Sequence, residues 1–204
     1  MNLNLYRKLL HAAVCLLVLL APLLSGAQGW ADAEWQAANT ARDISGLTDA
    51  EKETILYLNL CRLYPQKFAD LEVKNYTPPA EYGDYLDKSP YKKSLLKDLA
   101  SRRPVQALVF DTALYQNATC FAAELGNSGR TGHARTTCPK GNYAECLSYG
   151  MHTGKDIALQ WLIDHEVASL GHRKICLDPA YHKIAVSTHA HKQWKVCAVA
   201  EIIW

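Results

Sequence analysis

The N-terminal segment most constrains what this chain can become, because it decides in which compartment the six cysteines that follow it fold. Two basic residues precede an apolar run from Leu9 to Leu24, and the small residues Ser25-Gly26-Ala27 follow. This pattern predicts a secretory signal peptide over residues 1–27, with cleavage after Ala27 or at a second site after Ala33. An uncleaved membrane anchor is the alternative, but the run of about 16 residues is shorter than the ~20 that a spanning helix needs. We therefore expect a secreted or periplasmic protein without a stable membrane span after signal cleavage.

Signal cleavage also changes the charge and the cysteine count. Two of the 22 basic side chains and none of the 20 acidic ones lie in residues 1–27, so the remaining chain has no net charge. A neutral chain lacks the basic surface that nucleic acid requires, and we expect no nucleic-acid partner. An even number of cysteines in a secreted chain, none of them in a Cys-x-x-Cys pair, predicts up to three disulfides. These cysteines are Cys61, Cys120, Cys138, Cys146, Cys176 and Cys197.

Local signals predict helices first and a β-hairpin last, after a loose, polar N-terminal arm over residues 28–46. Thr48-Asp-Ala-Glu51 is a capping box that opens a helix ending before Pro65, and the domain is expected to span residues 47–204. Further predicted elements are a helix from Ser89-Pro90 to Ser101, a helix from Asp111 to Gly126, a long loop over 127–143 and a strand at 144–149. A helix from Lys155 to Leu170, stopped by Gly171, precedes a hairpin of 183–188 and 194–202. This order indicates the α+β class, or an α/β/α stack, rather than alternating βαβ units.

Four polar residues outside the predicted core are candidates for chemistry: His133 in the long loop, Glu145 in the strand, Asp164 in the late helix, and His172 after it. Two imidazoles suit zinc or another divalent metal, and carboxylates can complete the shell, orient the rings or act as a base. Spacing alone does not bring these residues together. A solvated loop histidine, and a His172 that only caps helix carbonyls, remain the alternatives.

The order of several short motifs resembles the CAP superfamily, which comprises cysteine-rich secretory proteins, antigen 5 and pathogenesis-related 1 proteins, and whose domain is also called SCP. The likeness covers roughly residues 47–203, and the segment around His172 looks most like bacterial secreted members. The motifs are Leu58-Asn-Leu-Cys-Arg62, Gly132-His133, Ala144-Glu-Cys-Leu-x-x-Gly150, Trp161-Leu-Ile-Asp164, Gly171-His-Arg-Lys-Ile-Cys-Leu-x-Pro179 and Ile184-Ala-Val.

The resemblance implies an α-β-α sandwich of the CAP/SCP type, with the C-terminal antiparallel hairpin in its sheet. It also implies an open cleft with a His/Glu/Glu/His tetrad that binds zinc through its histidines in some members. Here the matching residues are His133, Glu145, Asp164 and His172, and Glu166 is a substitute for the shorter Asp164. The usual Glu-Asn pair is replaced by Glu145-Cys146. Our working disulfide assignment is Cys61–Cys120, Cys138–Cys146 and Cys176–Cys197.

Three functional hypotheses follow from this resemblance. The first is a secreted binding or interaction module that holds a divalent metal at His133 and His172 and takes a lipid, sterol, glycan or protein ligand. The second is a zinc-dependent, peptidase-like hydrolase in which Glu145 is the general base and Asp164 orients a ligand. In the third, the four residues form only a structural hydrogen-bonded network. A shared fold does not choose among them.

Overall fold

The computed structural model describes residues 29–204, and the predicted signal peptide over residues 1–27 lies outside the described residues. The helices are α1 (Asp32–Ala38), α2 (Asp49–Leu63), α3 (Pro65–Phe68), α4 (Pro90–Ser101), α5 (Thr112–Ser128), α6 (Gly154–Ile163) and α7 (Gly171–Leu177). The strands are β1 (Val109–Phe110), β2 (Ala144–Tyr149), β3 (Lys183–His191) and β4 (Lys195–Ile203). One π-helical turn, Ala69–Val73, follows α3.

The strands form one mixed sheet in the order β1-β3-β4-β2, with β1 parallel to β3 and the other pairs antiparallel. The predicted hairpin is present as β3 and β4, and its strands extend to His191 and from Lys195, so the turn is shorter than predicted. The predicted strand at 144–149 is β2. The two-residue strand β1 was not predicted, because two residues are too short for an alternating pattern to be recognised.

Helices cover both faces of the sheet, which confirms the predicted α-β-α sandwich and the α+β class. Helix α5 packs on one face, where Phe121 and Leu125 meet Cys197 and Val199 of β4. The other helices contribute to a larger core on the opposite face, which includes Ala198, Ala200 and Ile202 of β4. Alternate residues of one strand thus enter different cores, as the period of two requires.

The predicted helix starts are confirmed by their capping contacts. Thr48 and Glu51 form the reciprocal capping box of α2, Ser89 caps α4 ahead of Pro90, and Asp111 accepts two backbone N–H groups at the start of α5. Helix α5 continues past Gly126 to Ser128. A Cβ at Gly126 would lie 2.1 Å from the carbonyl oxygen of Ala190, so this glycine serves close helix–hairpin packing and not helix termination.

The single helix predicted from Lys155 to Leu170 is wrong, because two helices occupy this region. Helix α6 ends at Ile163, and Asp164 takes a left-handed conformation with φ of 56°. Leu170 is also left-handed, and Gly171 is the first residue of α7 instead of the residue that stops a helix. His172 therefore lies in the first turn of a short helix. The sequence pattern missed the break because residues 165–170 contain no proline or glycine.

The N-terminal segment departs from the prediction of a loose arm over residues 28–46. Helix α1 packs on α2, and Ala38 and Ala41 are fully buried in the larger core. Asn59 of α2 donates from Nδ2 to the carbonyl oxygen of Ala38 at 3.0 Å and so ties the segment to the domain. Small side chains, which suggested a loose arm, here permit close helix packing.

The working disulfide assignment is wrong, because Cys120 bonds to Cys138. The other four cysteines of residues 29–204 are free and buried: Cys61, Cys146, Cys176 and Cys197. The sheet explains why the three assumed pairs do not form. Cys61, Cys146 and Cys176 lie in the larger core, whereas Cys138 and Cys197 lie on the α5 side and Cys120 is on α5 itself. Each assumed pair would have to cross the sheet.

Candidate functional site

An open cleft beside the sheet collects most of the polar side chains that the sequence singled out. Its cavity has a volume of about 330 Å³. His133, Asp164 and His172 line this cavity, and Glu145 contacts His133 from the sheet. Much of the remaining wall is aromatic: Tyr76, Tyr85, Tyr149 and Trp161. A ligand in this cleft would therefore meet two imidazoles between aromatic rings.

The His172 side of the cleft is built by two helices that cap each other. Asp164, at the end of α6, accepts the backbone N–H groups of His172 at 3.0 Å and Arg173 at 3.3 Å through Oδ2. In return, the buried Arg173 guanidinium donates to the carbonyl oxygens of Leu162 at 2.7 Å and Ile163 at 2.9 Å. These bonds satisfy groups that helix ends otherwise leave unpaired. They fix the first turn of α7, and with it the backbone of His172.

The ring of His172 is oriented by the same carboxylate. Its Nδ1 lies 2.7 Å from Oδ1 of Asp164, whose side chain is almost completely buried. Because an ionised carboxylate only accepts hydrogen bonds, Nδ1 carries the proton and donates. The other ring nitrogen, Nε2, is then the one left for a ligand.

His133 has an equivalent arrangement on the opposite side of the cleft. Its Nδ1 donates to Oε1 of Glu145 at 2.7 Å, and the second oxygen of Glu145 accepts a hydrogen bond from Arg135. The His133 side chain is 54% exposed, against 23% for His172, so it relies more on this one contact for its orientation. Arg135 is itself buried and bridges Glu145 to Glu201 of β4, which lies directly opposite Glu145 in the sheet register.

The loop that carries His133 is anchored at several points. Gly132 has φ of 88°, a conformation that glycine adopts without strain, and its N–H donates to the hydroxyl of Tyr149 at 2.9 Å. Beyond His133, Glu124 of α5 accepts the N–H groups of Thr136, Thr137 and Cys138 at 2.6, 2.9 and 3.0 Å. The Cys120–Cys138 disulfide joins the same loop to α5. An irregular loop is thereby held firmly enough to place an imidazole.

Two acids near this loop, Glu124 and Glu201, have opposite electrostatic surroundings. Burial disfavours the charged form of Glu124, but the hydrogen bonds from Thr137 and Cys138 outweigh it and hold the pKa of this carboxyl well below its usual range. Burial raises the pKa of Glu201 to about 7, although Arg135 favours its ionised form. Glu201 is fully buried, and its Oε2 has no hydrogen-bond partner. Glu201 therefore titrates near neutral pH.

Of the site residues predicted from the sequence, the structure brings His133, Glu145, Asp164 and His172 to one cleft. Glu166 is not brought in: its side chain is 84% exposed, and its carboxylate lies 3.9 Å from Nε2 of His165. Asp164 reaches His172 despite its shorter side chain, because the chain turns back at the end of α6. Both oxygens of Glu145 accept hydrogen bonds, one from His133 and one from Arg135.

Sequence reasoning missed several residues of the site. Arg135 and Glu201 support Glu145, while Gln160 and His165 line the cavity. His165 is held by Ser89, whose hydroxyl lies 2.8 Å from Nδ1, and Gln160 has a buried Oε1 without a partner. The sequence Gly132-His-Ala-Arg135 places an arginine two residues after His133, but the direction of its side chain depends on the loop conformation, which the sequence does not show. Glu201 pairs with Glu145 only through strand register.

The donor set limits which metal site this cleft can form. Within residues 29–204, no group of three or more His, Cys, Asp and Glu side chains converges to hold a metal ion. The fitting donors are two imidazoles, each with Nδ1 occupied by a carboxylate, which is the outer-shell arrangement typical of metal-binding histidines. Such a site has fewer than four protein ligands and leaves coordination positions open. Glu145 and Asp164 fit as supporting acids and not as direct ligands.

The fold and the cleft together define a class of protein: an α-β-α sandwich with two carboxylate-supported histidines facing one open cavity. A comparison with protein-family profiles matches residues 36–202 to CAP, described as the cysteine-rich secretory protein family. The match covers most of the chain, so this protein belongs to the CAP family, whose members are typically secreted. No curated protein sequence matches it. Among residues 29–204, the helices are too short or too polar to cross a lipid bilayer.

Proposed function

We propose that this protein is a secreted CAP-domain binding module whose cleft holds a divalent metal ion, zinc in the first instance, between His133 and His172. One observation carries the proposal: both imidazoles line the same cavity, and in each a carboxylate occupies Nδ1 at 2.7 Å. The two Nε2 atoms are therefore left as donors toward the cavity. The aromatic side chains in the wall of the cleft support a ligand-binding role for the same space.

In this proposal each residue of the tetrad has a defined task. His133 and His172 would hold the metal through Nε2, while Glu145 and Asp164 fix the ring orientation and the tautomer. A bound metal would supply a Lewis-acidic point of attachment for an oxygen or nitrogen atom of an extracellular ligand. Because a protonated imidazole cannot bind metal, zinc affinity should decrease in acid.

The hydrolase hypothesis has less support from the geometry. A zinc hydrolase needs a base within reach of the attacking water, and Glu145 was the sequence-based choice. Its two oxygens accept hydrogen bonds from His133 and Arg135, and its side chain is 9% exposed. Asp164 is committed to His172 and to the first turn of α7. We therefore favour binding over turnover.

The test is a zinc titration by isothermal calorimetry on the purified protein and on a His133→Ala/His172→Ala variant. Micromolar or tighter binding in the parent, absent in the variant, is the expected result. The matched control is His152→Ala/His182→Ala, which removes two exposed imidazoles that do not line the cavity. Equal zinc affinity in the parent and the cleft variant would contradict the proposal. No binding to any protein, with only lower stability in His133→Ala, would identify the tetrad as a structural network.

Secretion has its own test, which does not depend on metal. Residues 1–27 have the composition of a signal peptide. N-terminal sequencing of the processed protein should begin at Gln28, and a protein that retains Met1 would contradict cleavage.

A further inference from the structure

We propose that Arg135 is the positioning residue of the His133 side of the cleft: it holds the Glu145 carboxylate in the orientation that makes His133 present Nε2 to the cavity. This inference rests on the proposed function, and it extends it to a residue outside the tetrad. The reasoning starts from a difference between the two carboxylates. Asp164 is held by two backbone N–H groups of α7, whereas the hydrogen bonds to Glu145 in the described structure come from the side chains of His133 and Arg135.

Arg135 is fixed by contacts that do not involve Glu145. Its guanidinium lies 3.9 Å from the centroid of the Phe121 ring and donates to the carbonyl oxygen of Pro139 at 3.2 Å. It also donates to Oε1 of Glu201 at 2.9 Å. The Arg135 side chain is only 4% exposed, so the surrounding residues restrict its movement. A guanidinium held on several sides is a rigid platform for the carboxylate in front of it.

The chemistry of the guanidinium suits this task. It stays protonated in proteins, and its Nη2 group has two N–H donors, one for Oε2 of Glu145 and one for Oε1 of Glu201. Glu145 lies on the sheet face next to Glu201, and Arg135 bridges these two acids across the β2–β4 pair. Without Arg135, Glu145 would lose the hydrogen bond to its Oε2 and with it the contact that fixes the carboxylate beside His133. His133 would then lose the acceptor that selects its Nδ1–H tautomer.

The consequence for His133 differs from that for His172. Of the two carboxylates that support the histidines, Arg135 contacts only Glu145, and Asp164 lies on another element with its own backbone donors. Loss of Arg135 should therefore disturb one imidazole and spare the other. This selectivity separates a positioning role from a general loss of stability, because partial unfolding would change both rings.

The experiment compares the parent, Arg135→Met and Arg135→Lys, each free of zinc, by 15N NMR of the imidazole nitrogens, with His133 assigned from a His133→Gln spectrum. In the parent, both rings should carry the proton on Nδ1. In Arg135→Met, His133 should become a mixture of tautomers while His172 keeps its Nδ1 proton. Arg135→Lys keeps the positive charge without the planar guanidinium, so its His133 spectrum should lie between those of the parent and Arg135→Met. Zinc affinity should fall by about 10- to 100-fold in Arg135→Met.

The control is Arg42→Met, which removes an exposed arginine paired with Asp43, and it should leave both histidine spectra and zinc affinity unchanged. An unchanged His133 tautomer in folded Arg135→Met would overturn the inference, as would an equal change in His172. If Arg135→Met does not fold, Arg135→Lys reports the same His133 signal. If zinc binds none of the proteins but His133 alone changes, the metal proposal fails and the positioning role stands.

Discussion

Replacing Asp164 by asparagine separates the structural role of the tetrad from its proposed metal role. Asp164 accepts three hydrogen bonds with two oxygens: the backbone N–H groups of His172 and Arg173 at Oδ2, and the Nδ1–H of His172 at Oδ1. An asparagine has one acceptor and one donor group. The backbone N–H groups can only donate, so the amide oxygen must face them, and the NH₂ group must face Nδ1 of His172. His172 is then driven to the tautomer with its proton on Nε2, where the metal would bind.

The size of each effect can be estimated from these contacts. Asparagine is among the residues that tolerate the left-handed conformation of Asp164, and it keeps both backbone hydrogen bonds. The loss of one charge-assisted bond should lower the free energy of unfolding by about 1–3 kcal/mol. Zinc affinity should fall by about 10- to 100-fold. Asp164→Ala loses all three bonds in a buried position, so its unfolding free energy should fall by about 3–5 kcal/mol.

Urea denaturation followed by circular dichroism measures the stability, and calorimetry measures the zinc affinity. Glu166→Gln is the matched control, because it neutralises an exposed acid two residues away and should change neither quantity. The reasoning is refuted if Asp164→Asn binds zinc as tightly as the parent does, because His172 would then not need a proton on Nδ1. An unfolding free energy lower by about 1–3 kcal/mol, together with weak zinc binding, would support it.

Three other perturbations test the surroundings of the cleft. Burial raises the pKa of Glu201 to about 7 from 4.5, so protonated Glu201 stabilises the fold below about pH 4.5, and this stability is lost as the pH rises through 7. The unfolding free energy of Glu201→Gln, measured in urea, should lack this decline, and a pH dependence parallel to that of the parent would contradict the prediction. Glu124→Ala should lower the free energy of unfolding by about 2–4 kcal/mol and speed hydrogen exchange mainly in residues 130–138, because Glu124 accepts three backbone N–H groups there. Uniform acceleration of exchange over the whole domain would show that the loop is not anchored separately. Thiol titration of the processed protein without reductant should detect four thiols in denaturant but few in the native state, because the four free cysteines are buried and burial raises the pKa of Cys197 to about 11. If no thiols were detected in denaturant, the expectation of three disulfides would be restored.

The parts of the fold that sequence predicted well depend on local chemistry. The capping box at Thr48, the Ser89-Pro90 start and the Asp111 cap each satisfy backbone groups within a few residues. The strand at 144–149 and the C-terminal hairpin are continuous β-rich runs, as expected for strands that are covered on both faces. The order of the elements left the α+β class and an α/β/α stack both open, and the motif resemblance then implied the sandwich.

The errors arise where a distant contact overrides a local signal. Gly126 looks like a helix end, but the approach of Ala190 across the hairpin makes it an interior residue of α5. Gly171 looks like a stop, yet Asp164 caps the helix that begins there. The disulfide assignment was made without the sheet, which separates Cys146 from Cys138 by sending alternate side chains to opposite faces.

The two halves of the cleft show why one was easier to predict than the other. Asp164 and His172 are eight residues apart, and their support comes from the backbone of the helix that carries His172. A short motif can encode such a unit completely. The orientation of His133 and Glu145 depends on Arg135. Arg135 is in turn held by Phe121 of α5 and Glu201 of β4, and these elements meet only in the assembled sandwich. A motif match can therefore name His133 but not what orients it, so variants of Arg135 test the assembled structure more directly than variants of the tetrad.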